Sequence, residues 1–370
     1  MESKKMLNVF TKTKPWMVAS LLVATSAFGQ NKCPPQSCQK PCEKVCPEPM
    51  QAPTIAAYNA PAGIDTRCSW DVFVDAAFTY WQPILENLEL GISDNSASFY
   101  NTVFNMDFSY KPGFKVAAGI MLDYDNWDLW AEYTWFRGTS SQTASVGVPA
   151  QLGTIQLAPD IINTTEIDSL SRKWKLHMDL IDLLMGREYY VGTKLTFKSF
   201  FGARGAFIRQ NLNDTYVGTV AIGGTALSGS TVQTNHSWAV GPRAGLNTSW
   251  LLGEGFRLIG NGAADILYTR YTKLRNNTSV TTSTTSTLRT QQKNTGYLRT
   301  HLELETGLGW GSYFDNNNWH FDLAATYGFQ VFFNQNMFRQ FVDDFARAAS
   351  FMPNGDMFVH GLNLTARFDF

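Results

Sequence analysis

Charged residues recur at alternate positions in segments whose intervening positions are apolar. Lys115, Glu132, Lys175, Asp179, Lys198, Arg204, Arg243, Asp265, Arg299, Glu303, Glu305 and Asp322 all fall on such polar faces. A period of two puts these side chains on one side of extended strands. The chemistry they offer in that arrangement is solvation: a row of charges along one wall holds water and ions, as the lining of a polar passage does. Cations and anions are nearly matched on these faces, so no strong ion selectivity is expected. His177, His301 and His320 are expected on the same faces, near Asp179, Glu303 and Asp322; His236 precedes a strand and His360 sits near a rim. Scattered in this way they read as solvated lining, not as proton-transfer groups. No G-x-S-x-G elbow, P-loop, H-E-x-x-H or dinucleotide fingerprint occurs, so no enzyme activity, metal or cofactor is expected.

Five cysteines carry the other reactive atoms, and all lie early: Cys33, Cys38, Cys42, Cys46 and Cys68, interleaved with Pro34, Pro35, Pro41, Pro47 and Pro49. Zinc sites usually pair closer knuckles with a second pair or with histidine, and no histidine lies in this stretch. In an exported chain, disulfides are the expected use, and an odd count leaves one thiol for a partner chain. A flexible Pro-rich tether with idle thiols is the alternative.

Export is written at the N-terminus. Lys4, Lys5, Lys12 and Lys14 precede an apolar run from Trp16 to Phe28, and Ala27-Phe28-Gly29 offers small residues at the −3 and −1 positions before Gln30. Residues 1–29 are therefore expected to be a cleaved signal peptide, residues 30–69 a Cys/Pro-rich periplasmic segment, and residues 70–370 the folded body. Loss of the leader leaves 26 basic and 30 acidic groups. That balance excludes nucleic acid as a partner, since phosphate binding needs a basic excess.

The elements that must position the charges are strands. Trp70 to Tyr80 alternates apolar and polar residues, and the pattern returns in 114–124, 127–135, 174–180, 197–207, 238–250, 256–268, 298–310, 319–329 and 362–370. In 174–180 the apolar set is Trp174, Leu176, Met178 and Leu180, opposite Lys173, Lys175, His177 and Asp179. Aromatics recur at strand ends, as in Trp70, Tyr80, Tyr124, Trp127, Trp135, Trp174, Trp238, Trp250, Trp310 and Trp319. Short joins near 125–126, 185–193, 251–255 and 315–318 alternate with long ones near 82–111, 138–171, 211–235, 272–295 and 334–355.

Together these features predict an all-β, antiparallel transmembrane β-barrel with short periplasmic turns and long extracellular loops. About ten strands are counted, with twelve as the alternative if two more hide in the first two long loops. Both termini are then periplasmic. The chain ends in Phe370 with Phe368, Ala366, Leu364 and Leu362 at alternate positions, which resembles the assembly signal of outer-membrane barrels. Thr278–Thr287 reads as a solvated surface loop. Asn336–Phe351 places Phe338, Phe341, Val342 and Phe345 at helical spacing, either as a constriction in the mouth or as a helix on the rim.

The stretch WKLHMDLIDLLMGREYYVGTKLTFKSFFGARGAFIRQ at 174–210 resembles the pore-forming major outer-membrane protein family of Legionella, which also has relatives in Chlamydia-related bacteria. The Gly186–Tyr190 segment, taken as a turn, and Phe201-Gly202-Ala203-Arg204-Gly205 carry the likeness, with looser similarity over 70–370. The resemblance implies an abundant surface porin in the bacterial outer membrane and supplies no catalytic residues. The expected function is passive diffusion of small hydrophilic solutes. The alternative is a structural or adhesive barrel without an open pore, disulfide-linked to other envelope proteins. Expected partners are outer-membrane lipid, the barrel assembly machinery, and copies of itself or other envelope proteins through disulfides.

Overall fold

A computed structural model describes residues 60–67, 70–94, 101–122, 125–147, 150–153, 165–220, 224–341 and 350–370. The expected leader, all five cysteines, Asp123, Tyr124, Val342 and Phe345 lie outside the described residues. Ten long strands make the body: β1 (Val72–Leu85), β2 (Lys111–Leu122), β3 (Trp127–Ser145), β4 (Thr165–Tyr190), β5 (Leu195–Val220), β6 (Ala226–Gly253), β7 (Phe256–Thr281), β8 (Thr295–Phe314), β9 (Trp319–Phe332) and β10 (Met357–Asp369). Each pairs antiparallel with its neighbours in chain order, and β10 pairs with β1 from Asp369↔Phe73 to Met357↔Leu85. The ring is closed. Closure matters because hydrocarbon supplies no hydrogen-bond partner for a free sheet edge.

Twelve-strand closure does not occur. Gly91–Asp94, Val103–Phe104 and Gln151–Gly153, in the first two long connections, form a separate small sheet instead. Turns at one end carry the residues that tolerate positive φ: Asp125 and Asn126, Glu254 and Gly255, and Asp315, Asn316 and Asn317. Gly186–Tyr190 is not a turn but the end of β4, and the chain reverses at 191–194. The reason is visible in the ladder, where Arg187, Glu188 and Tyr189 still pair with Ser199, Lys198 and Phe197.

Strand length is uneven. β1, β2, β9 and β10 have 12 to 14 residues, close to the roughly 9–11 that cross a bilayer, whereas β4 to β7 have 26 to 28. At about 3.3 Å per residue, more than half of each of these four strands stands clear of a hydrocarbon layer. The expected loops at 211–235 and 272–295 are therefore largely sheet. Thr278 is buried on β7, and Thr285–Gln292 folds back as an extra strand on its end.

That projection reverses the solvent. Near the turns the outward positions are apolar and exposed, as in Phe78, Ile181, Leu183, Phe201, Val240, Leu304 and Phe368. Beyond about residue 180 on β4 the inward positions become apolar: Leu170, Trp174, Leu176, Met178 and Leu180 are buried in one cluster with Trp81, Phe136, Ile208, Leu212 and Phe332. Water outside and a packed core inside is the soluble arrangement.

Candidate functional site

The inward face of the membrane-crossing part holds a belt of ion pairs. Arg204 on β5 clasps Asp182 on β4 with two hydrogen bonds, Nε to Oδ1 at 2.7 Å and Nη2 to Oδ2 at 2.5 Å. Its Nη1 donates to Asp265 on β7 at 3.1 Å. Arg243 on β6 donates to Asp265 at 3.0 Å and to Glu303 on β8 at 2.7 Å. Lys115 on β2 reaches Glu303 at 3.4 Å and Glu132 on β3 at 3.8 Å. The Lys115–Glu303 contact is decisive because β2 and β8 stand on opposing parts of the ring: the belt crosses the lumen. His301 on β8 pairs through Nδ1 with Asp265 at 2.6 Å and is fully buried.

Below the belt, toward the chain-terminal end, lies a cavity of about 360 Å³. Lys198 paired with Asp128, Arg257 paired with Asp322, and Arg367 stand around it, and Glu305 reaches it from the belt with Asn363 bonded to its carboxylate at 2.8 Å. A second space of about 110 Å³, lined by Glu132, Asp182, Arg243 and Glu303, continues upward into the belt. Residues 60–67, which carry no strand-like alternation, run over this end. Ala62 N–H donates to the Glu188 carbonyl at 3.2 Å, and Arg67 N–H donates to that of Asn317 at 2.8 Å.

Above the belt the described residues pack closely, with a space of about 10 Å³ among Ala206, Ile208, Leu267 and Phe332 and one of about 20 Å³ among Gln233, Leu274, Met337 and Phe338. Part of the filling is an insert between β9 and β10. Gln335, Asn336, Met337, Phe338, Gln340 and Phe341 are buried. The Gln335 carbonyl accepts from Gln210 on β5 at 3.4 Å, Gln233 on β6 and the Arg339 backbone bond each other at 2.8 and 3.1 Å, and Asn336 Nδ2 donates to the Glu86 carbonyl at 2.6 Å. The insert thus crosses the mouth to the far wall. The helical spacing seen in the sequence is not realised among its described residues, where Gln340–Phe341 pairs with Ser350–Phe351 as a short ladder. A loop anchored by side-chain amides at both walls is held extended, which a helix would not permit.

Of the charged residues singled out from the sequence, Lys115, Glu132, Lys198, Arg204, Arg243, Asp265, Glu303, Glu305 and Asp322 meet in the belt or around the cavity beneath it. Arg299 also points inward, higher up, stacked 4.6 Å from the Tyr297 ring and in contact with Met337. Lys175 and Asp179 do not join them. They stand on the outer face of β4 with His177, while Trp174, Leu176, Met178 and Leu180 turn inward. The reversal of solvent above the bilayer is the reason, and it also removes Trp174 from the outer aromatic set. Asp179 is held instead by Arg137 at 2.8 Å and by the Tyr133 hydroxyl at 2.9 Å. His236 lies within β6, facing out, and His360 stacks on Phe329 outside β10. The buried Arg172–Asp214 pair, 2.7 Å apart in the upper core, escapes the sequence pattern because Asp214 sits in a stretch that reads as loop and Arg172 precedes the alternation that starts at Trp174.

The motif around Arg204 has a packing reason. A Cβ on Gly202 would lie 2.0 Å from the Leu183 carbonyl oxygen, so no larger residue fits while β4 and β5 keep this approach.

Solved structures with a similar trace include an outer membrane protease and two toluene transporters. The outer membrane protease OmpT from Escherichia coli is 10% identical, with 84% of this chain and 99% of that chain covered and a TM-score of 0.42. The P. putida toluene transporter TodX is 9% identical, covering 81% and 89% with a TM-score of 0.30, and the Ralstonia pickettii toluene transporter TbuX is 12% identical, covering 80% and 88% with a TM-score of 0.30. No curated protein matches the chain. The family model described as Legionella pneumophila major outer membrane protein precursor matches residues 65–370, and the chain belongs to that outer-membrane protein family.

Proposed function

We propose that this protein is a pore-forming outer-membrane barrel that passes small hydrophilic solutes by passive diffusion, with the insert between β9 and β10 as its gate. The observation that carries the reading is the insert. What completes the seal is a connection between β9 and β10, held across the mouth chiefly by side-chain hydrogen bonds, and below it polar, water-sized space rises from the opposite end into the charged belt. A ten-stranded ring lies between barrels that side chains fill and barrels that hold a water channel, so such an insert decides whether it conducts. The mechanism needs no covalent chemistry. Opening requires the insert to withdraw and the belt carboxylates to exchange partners, after which fixed charges replace part of a solute's hydration.

In this reading the short turns and both termini are periplasmic and the long strands project outward. The assembly machinery recognises the strand ending at Phe370, and the cysteine segment tethers the barrel to other envelope proteins. Liposome swelling tests the transport function: vesicles bearing the protein should swell in small sugars and not in large oligosaccharides.

A sealed structural or adhesive barrel is the second reading. The fully buried Trp81, Phe136 and Trp174 in the projecting core favour it. Vesicles that hold inserted protein and do not swell in any sugar would support it.

A further inference from the structure

The outer face of the barrel carries a basic patch that the pore reading does not use. Cross-strand pairing places Arg137 on β3 beside His177 on β4, His177 beside Arg209 on β5, Arg209 beside His236 on β6, and His236 beside Lys273 on β7. These side chains face outward, because their strand neighbours Leu176, Met178, Ile208, Ser237 and Leu274 are buried inside. One step further from the membrane, Lys175 and Arg275 flank Asn211 and Thr234 in the same way. One step nearer, the corresponding rung is Trp135, Asp179, Phe207, Trp238 and Arg270. The cations therefore cluster at the edge of the outer aromatic surface, with Arg270 beside Trp238 the lowest of them.

Three features set the patch apart from ordinary interfacial lysines and arginines. It is one-sided: the outward positions of β1, β2, β8, β9 and β10 carry no Lys, Arg, Asp or Glu along their length. Its charge is unbalanced, since Asp179 is the one carboxylate among these rungs and is already held by Arg137. Lys175, Arg209, Lys273 and Arg275 form no ion pair among the described residues. At about 4.8 Å between strands, five adjacent strands present a surface roughly 19 Å wide, the breadth of a lipid headgroup bearing more than one phosphate.

We propose that this patch on β3 to β7 binds the phosphorylated headgroup of an outer-leaflet glycolipid, with the acyl chains lying over the aromatic rung beneath it. The proposal rests on the barrel reading above and on its outward placement of the long strands. Charge complementarity selects the ligand, because phosphate oxygens accept charge-assisted hydrogen bonds from Lys and Arg, and the aromatic rung excludes a fully hydrated anion as the best fit.

The test uses the full-length barrel refolded in dodecylmaltoside and titrated with diphosphorylated lipid A, dephosphorylated lipid A, phosphatidylglycerol and inorganic phosphate, with bound lipid counted by native mass spectrometry. Saturable retention of the diphosphorylated glycolipid over the other three is expected. The triple variant Lys175→Gln, Arg209→Gln and Lys273→Gln should weaken it on the order of a hundredfold. Removing three charges elsewhere, by Lys194→Gln, Arg289→Gln and Lys293→Gln, should not. Equal retention of phosphorylated and dephosphorylated lipid, equal loss in both triple variants, or competition by inorganic phosphate at the same concentration would overturn the proposal. Heat-dependent gel migration reports the barrel in every sample, so failure of the barrel reading would show itself separately from failure of lipid binding.

Discussion

Arg204 and Asp182 face each other from neighbouring strands β5 and β4 as a two-pronged pair at 2.5 and 2.7 Å, each side chain only 2% exposed. Through Arg204 the pair is joined to Asp265, so removing one member strands more than one charge. Breaking a buried ion pair from one side typically costs about 3–5 kcal/mol, while replacing both partners with apolar groups costs less. Arg204→Met should therefore lower the urea unfolding midpoint markedly, and Arg204→Met with Asp182→Leu should recover part of the loss. Equal loss in the double variant would show that Asp182 is not the principal partner.

Phe370 closes the ring through its backbone: its N–H donates to the Val72 carbonyl at 2.9 Å, and Val72 N–H donates back at 3.3 Å. Its ring is half exposed outside, stacked on Phe368. Phe370→Ser keeps the closing bonds and should change folded stability by less than ~2 kcal/mol. Assembly should slow nonetheless, seen as reduced surface protein in pulse-labelled cells. Normal surface levels at every time would refute a signalling role for the aromatic end.

Strand sides were legible wherever one face meets lipid. Lys115, Glu132 and Arg243 could be placed inward because Phe114, Leu129 and Ala244 alternate with them against an apolar solvent. On β4 the same alternation misled. Trp174 to Leu180 and Ile181 to Met185 are both apolar every second residue, but the register of apolar positions shifts by one, and a sequence carries no mark of where the bilayer stops. The insert was equally hidden. Its buried groups include Gln335, whose amide reaches Ser237 on β6, and Asn336 and Gln340, whose amides reach Glu86 and Asn87 beyond β1, and no periodicity reports a contact between segments so far apart in the chain.

Every cysteine precedes β1, so the ring closes without one. Serine replacement of Cys33, Cys38, Cys42, Cys46 and Cys68 should abolish reductant-sensitive larger species on gels of envelope fractions and leave heat-modifiable migration intact. Failure of the replaced protein to fold would assign the cysteines to the barrel's own stability, and a wild type that runs as monomer without reductant would end the cross-linking proposal.

The proposed orientation, with the long strands projecting outward, can be tested by labelling. An epitope inserted at 282–284, in the turn after β7, should be labelled on intact cells, whereas one at 316–317, in the turn between β8 and β9, should be labelled only after permeabilisation. The reverse pattern would invert the barrel and place the lipid patch in the inner leaflet.

Single-channel recording in planar bilayers tests the closed pore most directly, comparing the wild type with a variant in which Asn336–Phe351 is replaced by a short Gly/Ser linker. The wild type should show brief, weakly ion-selective steps separated by long closures, because in the proposed pore the insert blocks the mouth and the belt charges nearly balance. The variant should show longer and larger openings. Silence from both proteins after verified insertion would contradict the pore and leave a sealed structural barrel.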